Sequence, residues 1–283
     1  MTDIFTAIAI MSAVCVAAGI FAGAVAYSNK GQRVMLLLAC SVLAAVYFQF
    51  YGSGQLLWAR FVPLSACIIY TNLAAVFAAL AAGWSWRLPN TPAWRRGTMV
   101  VLLATMALAA ITWPLLSIAV RPAPEGGDAW LDGVAMQTSW ATCSPAAAST
   151  LLNAAGIRAT EAELIPLCLT DSSGTPTLGL YRGVKLFAER NDRDVEVLDE
   201  TLSQLLGADN WPVLLAVELP YGVDDRRYAD QWGWIPGMGH SVVALGRTDD
   251  GGVIIGDPST GLERWSEADL KVLWHGNGMR LSR

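Results

Sequence analysis

The first 120 residues are nearly free of charge, and this restricts the fold more than any other feature. The chain has 19 basic and 24 acidic side chains, of which this stretch contains only seven. They are Asp3, Lys30, Arg33, Arg60, Arg87, Arg95 and Arg96. Four apolar runs, near 4–27, 34–52, 61–85 and 98–120, approach the ~20 residues that a helix needs to cross a bilayer. We therefore predict an α-helical membrane domain of four transmembrane helices over residues 1–120.

The composition changes near Arg121. Residues 121–283 carry the other 13 basic and 23 acidic side chains, a net charge of −10. The stretch Arg-Pro-Ala-Pro-Glu-Gly-Gly-Asp at 121–128 is rich in proline and glycine. We predict a linker over 121–134 and a second domain over 135–283, which is long enough for its own core. Its acidic charge argues against nucleic acid and anionic headgroups as partners.

Basic residues in the short loops predict the orientation of the spans, because such loops stay in the cytoplasm. Five basic residues lie in the first and third loops and two lie on the opposite side. They are Lys30, Arg33, Arg87, Arg95 and Arg96 against Arg60 and Arg121. Both termini and the second domain are therefore expected on the extracytoplasmic side. The second run is the weakest of the four, and without it as a span the orientation would reverse.

Cys143 stands at the start of a predicted helix. The alanines and leucines after it favour a helix over 143–155, Pro145 suits its first turn and Gly156 its end. A thiol attacks as thiolate, and both a helix N-terminus and a neighbouring imidazolium lower its pKa. Gln137 precedes Cys143 by six positions. Its amide, together with the Cys143 backbone N–H, is suited to holding an oxyanion.

His240 and Asp257 complete a candidate catalytic group. His240 opens an apolar run that is typical of a strand and follows a glycine-rich approach, so it can reach a pocket. Asp257 ends a second apolar run, where its carboxylate could accept the other imidazole N–H. The alternative for Asp257 is a turn cap in Asp-Pro-Ser-Thr-Gly. His275 matches no motif and is expected in a solvated turn.

In combination these residues resemble the double-glycine leader peptidases, family thirty-nine of the cysteine peptidases, which are papain-like and process bacteriocin precursors. Gln137, Cys143, Ala147 and Leu151 fit the cysteine box of that family. His240 to Ala244 are similar to its histidine box, and Asp257, Pro258 and Gly261 match its Asp-Pro-x-x-Gly motif. The segment from Gly174 to Leu180 also looks like the family. The resemblance covers roughly residues 135–283.

The resemblance implies an α+β papain-like cysteine peptidase, a thiol hydrolase, on a bacterial cytoplasmic membrane. Cys143 would be the nucleophile, His240 the base, Asp257 the group that orients it and Gln137 the oxyanion donor. The substrate would be a peptide or protein, cleaved after a Gly-Gly type leader site. No metal or organic cofactor is implied.

Three features depart from the family. Thr142 replaces the usual aspartate before the cysteine, and Ser241 replaces an aromatic residue after the histidine. The family domain usually lies at the N-terminus of an ATP-driven exporter. This chain, by contrast, has no Gly-x4-Gly-Lys-Ser/Thr phosphate-binding loop, and its membrane part comes first. A separate exporter is therefore a candidate partner, besides the lipid bilayer and the peptide substrate.

Two other functions stay open at this point. Thr142 is compatible with a degenerate domain that binds a peptide without cleaving it, as a sensor coupled to the spans. The same triad is also suited to a thiol amidase or acyltransferase that acts on another amide. A disulfide between Cys143 and Cys168 is a third alternative for the thiol and would silence it. Cys15, Cys40 and Cys67 fall in the apolar runs, where small apolar packing is their usual role.

The coarse pattern of the second domain predicts helices first and an antiparallel sheet second. Helices are expected near 143–155, 160–169, 177–190 and after Ser266, and strands near 195–198, 213–219, 241–246, 253–256 and 279–281. A long loop, 220–238, precedes His240. Its Trp232 and Trp234 are interpreted as packing the loop down, with substrate or membrane contact as the alternatives. In the third apolar run, Thr71 and Asn72 are expected to make helix–helix hydrogen bonds, with the lining of a substrate groove as the alternative.

Overall fold

The computed structural model of the protein describes residues 1–28, 32–208 and 210–282. The chain forms two compact units, one of Met1–Trp58 with Ala66–Ala119, and one of Ala59–Ser65 with Val120–Arg283. We call the first the helical unit and the second the sheet unit. Lys30, which contributes to the predicted orientation, lies outside the described residues.

In the described part of the chain, four helical segments are long and apolar enough to cross a membrane, by length and composition. They are Thr2–Ser28, Arg33–Gly52, Cys67–Ser85 and Ala93–Val120. The first is helix α1, Thr2–Ser28, and the last is α6, Ala93–Val120. Helix α2, Gln32–Tyr47, continues into a π-helical turn at Phe48–Gly52. These segments coincide closely with three of the four predicted runs.

The third apolar run, predicted near 61–85, contains the helical segment Cys67–Ser85 but is not one continuous helix. It contains the end of α3 (Trp58–Phe61), then α4 (Cys67–Tyr70) and α5 (Leu73–Ser85). Pro63 lies between α3 and α4, where a proline ring and its missing N–H disfavour a continuous helix. Thr71 Oγ1 donates to Cys67 O within the run, at 2.8 Å. Asn72 Nδ2 donates to Ala110 O of α6, also at 2.8 Å, which confirms the predicted helix–helix bond for Asn72 alone.

Close backbone contact holds the helical unit together, because small residues line α5 where it packs on α1 and α2. A Cβ at Gly83 would lie 2.2 Å from Gly19 O and 2.7 Å from Ala22 Cβ. The two helices therefore approach each other only because position 83 has no side chain. Trp84 Nε1 adds a hydrogen bond of 3.1 Å to Ser41 Oγ of α2.

The sheet unit begins with a short hairpin and three helices. The hairpin pairs β1 (Trp130–Leu131) with β2 (Val134–Ala135), within and just after the predicted linker. The helices are α7 (Cys143–Ala154), α8 (Glu161–Leu167) and α9 (Thr177–Glu189). Thr160 caps α8 reciprocally with Glu163, as the sequence predicts. Helix α7 is the central one and packs against α8, α9 and the sheet.

The sheet has six strands, and every recorded pairing in it is antiparallel. Their order is β3 (Val195–Val197), β8 (Trp274–Leu281), β4 (Val213–Glu218), β5 (Gly239–Arg247), β6 (Val253–Asp257) and β7 (Gly261–Trp265). Helix α10 (Leu202–Gly207) follows β3, α11 (Arg227–Asp230) lies in the long loop, and α12 (Glu267–Leu273) precedes β8. The predicted order of helices first and sheet second is confirmed.

The sheet unit buries a large apolar cluster that includes residues from β4, β5, β6 and α12. Trp265 is its largest fully buried side chain. Trp232 and Trp234 pack against this cluster from the loop 220–238. Trp232 stacks on Trp265 with ring centroids 6.1 Å apart, and Trp234 meets Trp265 at 5.8 Å. The interpretation that both tryptophans pack the loop down is therefore confirmed.

Candidate active site

Cys143 is the first residue of α7, as the sequence predicts, and its side chain is partly accessible. Thr142 is the N-cap residue, and its carbonyl accepts the N–H of Ala146 at 3.1 Å. The first N–H groups of an α-helix have no partner within the helix and carry partial positive charge. The helix start therefore favours negative charge on the Cys143 sulfur.

Thr142 also closes the turn that leads to Cys143. Its Oγ1 donates to Ser139 O at 2.9 Å and accepts from Ser139 N at 3.1 Å. The Thr142 N–H donates to the same carbonyl at 3.0 Å. Thr142 is completely buried, so these bonds are shielded from water. Thr142, in place of the usual aspartate, thus still fixes the turn through its side chain.

His240 lies near the start of β5 and contacts both other members of the candidate triad. Its Nε2 is 2.9 Å from Asp257 Oδ1, and Asp257 is almost fully buried at the end of β6. The imidazole also lies close enough to the Cys143 thiol to lower the pKa of that thiol. Since Nε2 is held by Asp257, Nδ1 is the ring nitrogen that remains for the sulfur. The structure brings Cys143, His240 and Asp257 together in one chain of contacts.

Asp257 makes both kinds of contact that the sequence left open. Its Oδ1 accepts from Ser259 N at 2.7 Å and from Ser259 Oγ at 2.6 Å, as in an Asx turn. The same oxygen faces His240. The turn therefore fixes the carboxylate that in turn holds the imidazole.

The electrostatics of the three groups favour a thiolate and an imidazolium. Burial alone would raise the pKa of Cys143, but the hydrogen bond and charge of His240, with the Ser144 hydroxyl and the Ser241 N–H, bring that pKa below its ordinary value. Burial likewise would lower the pKa of His240, yet Asp257 and Cys143 raise it to about 10. The pKa of Asp257, which burial would raise, is lowered by His240 and Ser259. An ion pair between Cys143 and His240 is thus favoured near neutral pH.

Two serines connect the cysteine helix to the histidine strand. Ser144 Oγ and Ser241 Oγ are 2.8 Å apart, and both side chains are buried. Ser144 follows the cysteine and Ser241 follows the histidine, so the bond joins the two elements next to their reactive residues. The departure from an aromatic residue at Ser241 is accommodated by this hydrogen bond.

Gln137 is attached to the same corner of the sheet unit. Its backbone N–H donates to Pro258 O at 2.9 Å, directly after Asp257. Its Oε1 is buried and has no hydrogen-bond partner among the residues that the structure describes. Neither amide atom of the side chain has a recorded partner there, so the amide can turn Nε2 toward a developing oxyanion.

Trp234 covers the imidazole from the loop 220–238. Its ring meets the His240 ring edge to face, with centroids 5.4 Å apart. The same loop is tied to α12, where Tyr228 Oη donates to Asp269 Oδ1 at 2.9 Å. The loop therefore limits water access to the His240–Asp257 pair. Sequence reasoning located the loop but did not assign Trp234 to His240.

The remaining candidates lie outside this group. All five cysteines are free thiols, so a disulfide between Cys143 and Cys168 is not formed. Burial raises the pKa of Cys168 to about 12, which makes it an inert thiol. His275 is exposed on β8, in a strand rather than the expected turn. Within residues 1–28, 32–208 and 210–282, no group of three or more His, Cys, Asp or Glu side chains is placed to hold a metal ion.

Sequence reasoning missed three side chains that support the site. Ser259 follows the Asp-Pro pair, and Ser144 and Ser241 are adjacent to catalytic candidates. The Asp-Pro-Ser pattern is a known Asx-turn signal and could have identified Ser259. The Ser144–Ser241 pair has no local signal, because its members are 97 positions apart.

Several solved peptidase domains are similar to this chain. The peptidase domain of Streptococcus ComA, a bi-functional ABC transporter involved in a quorum sensing pathway, is 20% identical, and the match covers 53% of this chain and 96% of that domain, with a TM-score of 0.41. A double glycine motif protease from an AMS/PCAT transporter, solved with its leader peptide, is 14% identical over 57% of this chain and 96% of that chain, with a TM-score of 0.42. The peptidase domain of Streptococcus mutans ComA is 19% identical over 53% of this chain and 99% of that domain, with a TM-score of 0.36.

No family model and no curated protein matches the chain.

Proposed function

We propose that the protein is a membrane-anchored cysteine peptidase that uses Cys143, His240 and Asp257 as its triad and Gln137 as its oxyanion donor. One observation carries the proposal: His240 is held by the buried carboxylate of Asp257 at 2.9 Å and at the same time interacts with the Cys143 thiol, whose pKa it lowers. This is the relation that a nucleophile, a base and an orienting group require.

The proposed reaction has two halves. The Cys143 thiolate attacks the peptide carbonyl, and an S–C bond forms while the carbonyl oxygen gains negative charge next to Gln137 and the Cys143 N–H. The tetrahedral intermediate collapses, the C–N bond breaks, and the His240 imidazolium gives its proton to the leaving amine. Water then attacks the thioester, with His240 accepting its proton. The S–C bond breaks and a carboxylic acid product leaves.

The substrate proposed is a peptide with a Gly-Gly type leader site. This part rests on the resemblance of residues 135–283 to the leader peptidases, since small residues before the scissile bond suit a narrow groove. The spans are proposed to hold the enzyme in a bacterial cytoplasmic membrane with the sheet unit on the extracytoplasmic side. That orientation rests on the distribution of basic residues in the loops.

The first test is the pH dependence of Cys143 alkylation by iodoacetamide in the detergent-solubilised full chain, read by mass spectrometry. We expect fast labelling that persists below pH 6, because the pKa of Cys143 is lowered. His240→Ala should abolish this fast labelling at low pH. Cys168 serves as an internal reference, since a buried thiol with a pKa of about 12 is labelled only in unfolded protein.

Turnover is measured on a fluorogenic peptide amide that ends in Gly-Gly, with Cys143→Ala as the inactive control. A thiol that labels only near pH 8.5, with no change in His240→Ala, would instead support a peptide-binding domain without catalysis. Labelling of Cys143 by a membrane-impermeant maleimide in intact cells tests the orientation. Protection until the cells are lysed would place the sheet unit in the cytoplasm.

A further inference from the structure

Glu161 is a buried carboxylate that the proposed reaction does not use. It is the first residue of α8 and is only 2% exposed. No ion pair to Glu161 is recorded in the described part of the chain, and its oxygens accept from neutral groups alone. Burying an ionised carboxylate is costly unless hydrogen bonds satisfy it. A group with this arrangement holds its donors in place.

The donors come from two segments on either side of the hairpin β1–β2. Glu161 Oε2 accepts from Gly127 N at 2.7 Å, and Oε1 accepts from Thr138 N at 2.8 Å. The Thr138 hydroxyl lies 3.2 Å from Oε1 and 3.0 Å from Glu125 O. A Cβ at Gly127 would lie 2.7 Å from Thr138 Cγ2, so the two segments are in close contact. Glu161 thus joins residues 125–127 to Thr138.

Thr138 is the residue after Gln137, the candidate oxyanion donor. The Gln137 N–H is bound by Pro258 O, and the next N–H along the chain is bound by Glu161. Two consecutive backbone donors are therefore fixed, one by the Asp-Pro turn and one by α8. The Gln137 side chain projects from the backbone between these two anchors.

We propose that Glu161 is a positioning residue for the oxyanion hole, holding the Gln137–Thr138 peptide so that the Gln137 amide is kept in place. This inference rests on the proposed function. It assigns to Glu161 no contact with the substrate. Its effect is transmitted through the Thr138 N–H to the backbone from which Gln137 extends.

Glu161→Gln separates this role from simple packing, because it keeps size and shape but replaces one acceptor oxygen by an NH2 donor. That donor must face either Thr138 N–H or Gly127 N–H, and one anchor is lost. We expect kcat on the Gly-Gly peptide amide to fall roughly tenfold or more, since small misplacements of a reacting group are costly. KM should stay within about twofold, since substrate contacts are retained. The matched control is Glu163→Gln, two positions on, which alters only the exposed capping box and should leave kcat unchanged.

Two further measurements, with rates normalised to reactive Cys143, identify a positioning role. The pH profile of Cys143 alkylation should be unchanged in Glu161→Gln, because the thiol–imidazole pair does not involve α8. Rates are expressed per alkylatable Cys143, so a loss of folded protein does not count as a loss of kcat. In a Gln137→Ala background, adding Glu161→Gln should lower kcat by less than about a further twofold, because the amide that Glu161 positions is absent.

The opposite results overturn the inference. A kcat per titrated site that stays within twofold in Glu161→Gln would leave Glu161 as a purely structural group. The full loss appearing again in the Gln137→Ala background would show that Glu161 acts elsewhere. If Glu161→Gln does not fold, Glu161→Asp, which keeps the charge but withdraws it by one methylene, is judged by the same criteria. Absence of turnover in the wild-type protein would instead reject the proposed function, and the inference would fall with it.

Discussion

The helical unit and the sheet unit use buried polar side chains for different purposes. In the helical unit, Asn72 and Trp84 each make one hydrogen bond that connects two apolar helices. In the sheet unit, some of the buried polar groups contact the candidate reactive residues or their neighbours, as with Asp257 at His240 and Ser144 at Ser241. The first kind of bond adds to the close fit between the backbones of the helices. The second kind sets the protonation and direction of single side chains.

The difference shows where each unit is sensitive to substitution. Hydrogen bonds between membrane helices contribute only about 0.6 kcal/mol on average, so fit between backbones dominates there. In the sheet unit the hydrogen bonds and charges of Asp257 and Cys143 raise the pKa of His240 from 6.5 to about 10 against the effect of burial. We therefore expect the helical unit to respond to changes of shape and the sheet unit to changes of charge.

The largest expected effect comes from Asp257. Asp257→Ala should lower kcat/KM on the order of 10²-fold or more, because the imidazole loses the group that orients it. Asp257→Asn keeps a side-chain oxygen that can accept a hydrogen bond. It therefore tests the effect of the negative charge alone. The raised pKa of His240 keeps the imidazolium, and thus activity, up to about pH 10. Without the negative charge the alkaline limb of the pH–rate profile should move to lower pH.

The raised pKa of His240 also predicts how the stability of the protein changes with pH. Because the folded-state pKa of His240 is raised, its contribution to folding is complete below pH 6.5 and is lost as pH rises through about 10. Thermal unfolding of Asp257→Asn should therefore show the largest loss of stability just below pH 6.5 and a smaller loss at pH 10. An alkaline limb that does not move in Asp257→Asn would mean that Asp257 only caps its turn.

The next effect is one of shape in the helical unit. Gly83→Ala places a methyl group 2.2 Å from Gly19 O, so α1 and α5 must separate, at a cost of about 1–3 kcal/mol in the free energy of unfolding. Gly97→Ala is the matched control, since a Cβ at Gly97 in α6 meets no atom within 4 Å. Thermal unfolding in detergent measures both. We expect kcat per titrated Cys143 to stay within twofold in each variant, and a large kinetic effect of Gly83→Ala would contradict the comparison.

The smallest expected effects compare two tryptophans. Trp234→Ala removes the ring next to His240 and should lower kcat/KM about fivefold, in the range of an aromatic pair, whereas Trp234→Phe should restore most of the rate. Trp84→Phe removes the bond to Ser41 and should lower the stability of the helical unit by about 0.6 kcal/mol without a kinetic change. Equal rates in Trp234→Ala and wild type would show that the loop only covers the apolar cluster.

Much of the local structure was predictable because the signals are local. The three helices that follow Cys143, Thr160 and Pro176 end within a few residues of the predicted positions. The strands that contain His240 and precede Asp257 were also predicted from short apolar runs. These elements are specified by helix propensity, capping pairs and apolar patterns within about ten residues.

Other elements were missed for identifiable reasons. Helix α10 carries a capping box at Thr201 and Gln204, a signal that was present and not used. Strand β7 alternates buried and exposed residues over only five positions, which is a weak pattern beside a turn. At the break in the third span, Asn72 donates a hydrogen bond to Ala110 O of α6, and such a contact has no local signature.

By itself the sequence determined the order of an apolar helical part and an acidic α+β part, and it singled out Gln137, Cys143, His240 and Asp257 as candidates. Their catalytic roles stay a proposal. Only the tertiary structure decided that His240 Nε2 faces Asp257, that Ser144 bonds Ser241, that Trp234 covers the imidazole and that Glu161 holds Thr138. The physical reason is that capping, propensity and hydropathy act between near neighbours in the chain. Hydrogen bonds between buried polar groups depend on which distant segments the packing of the core brings within about 3 Å.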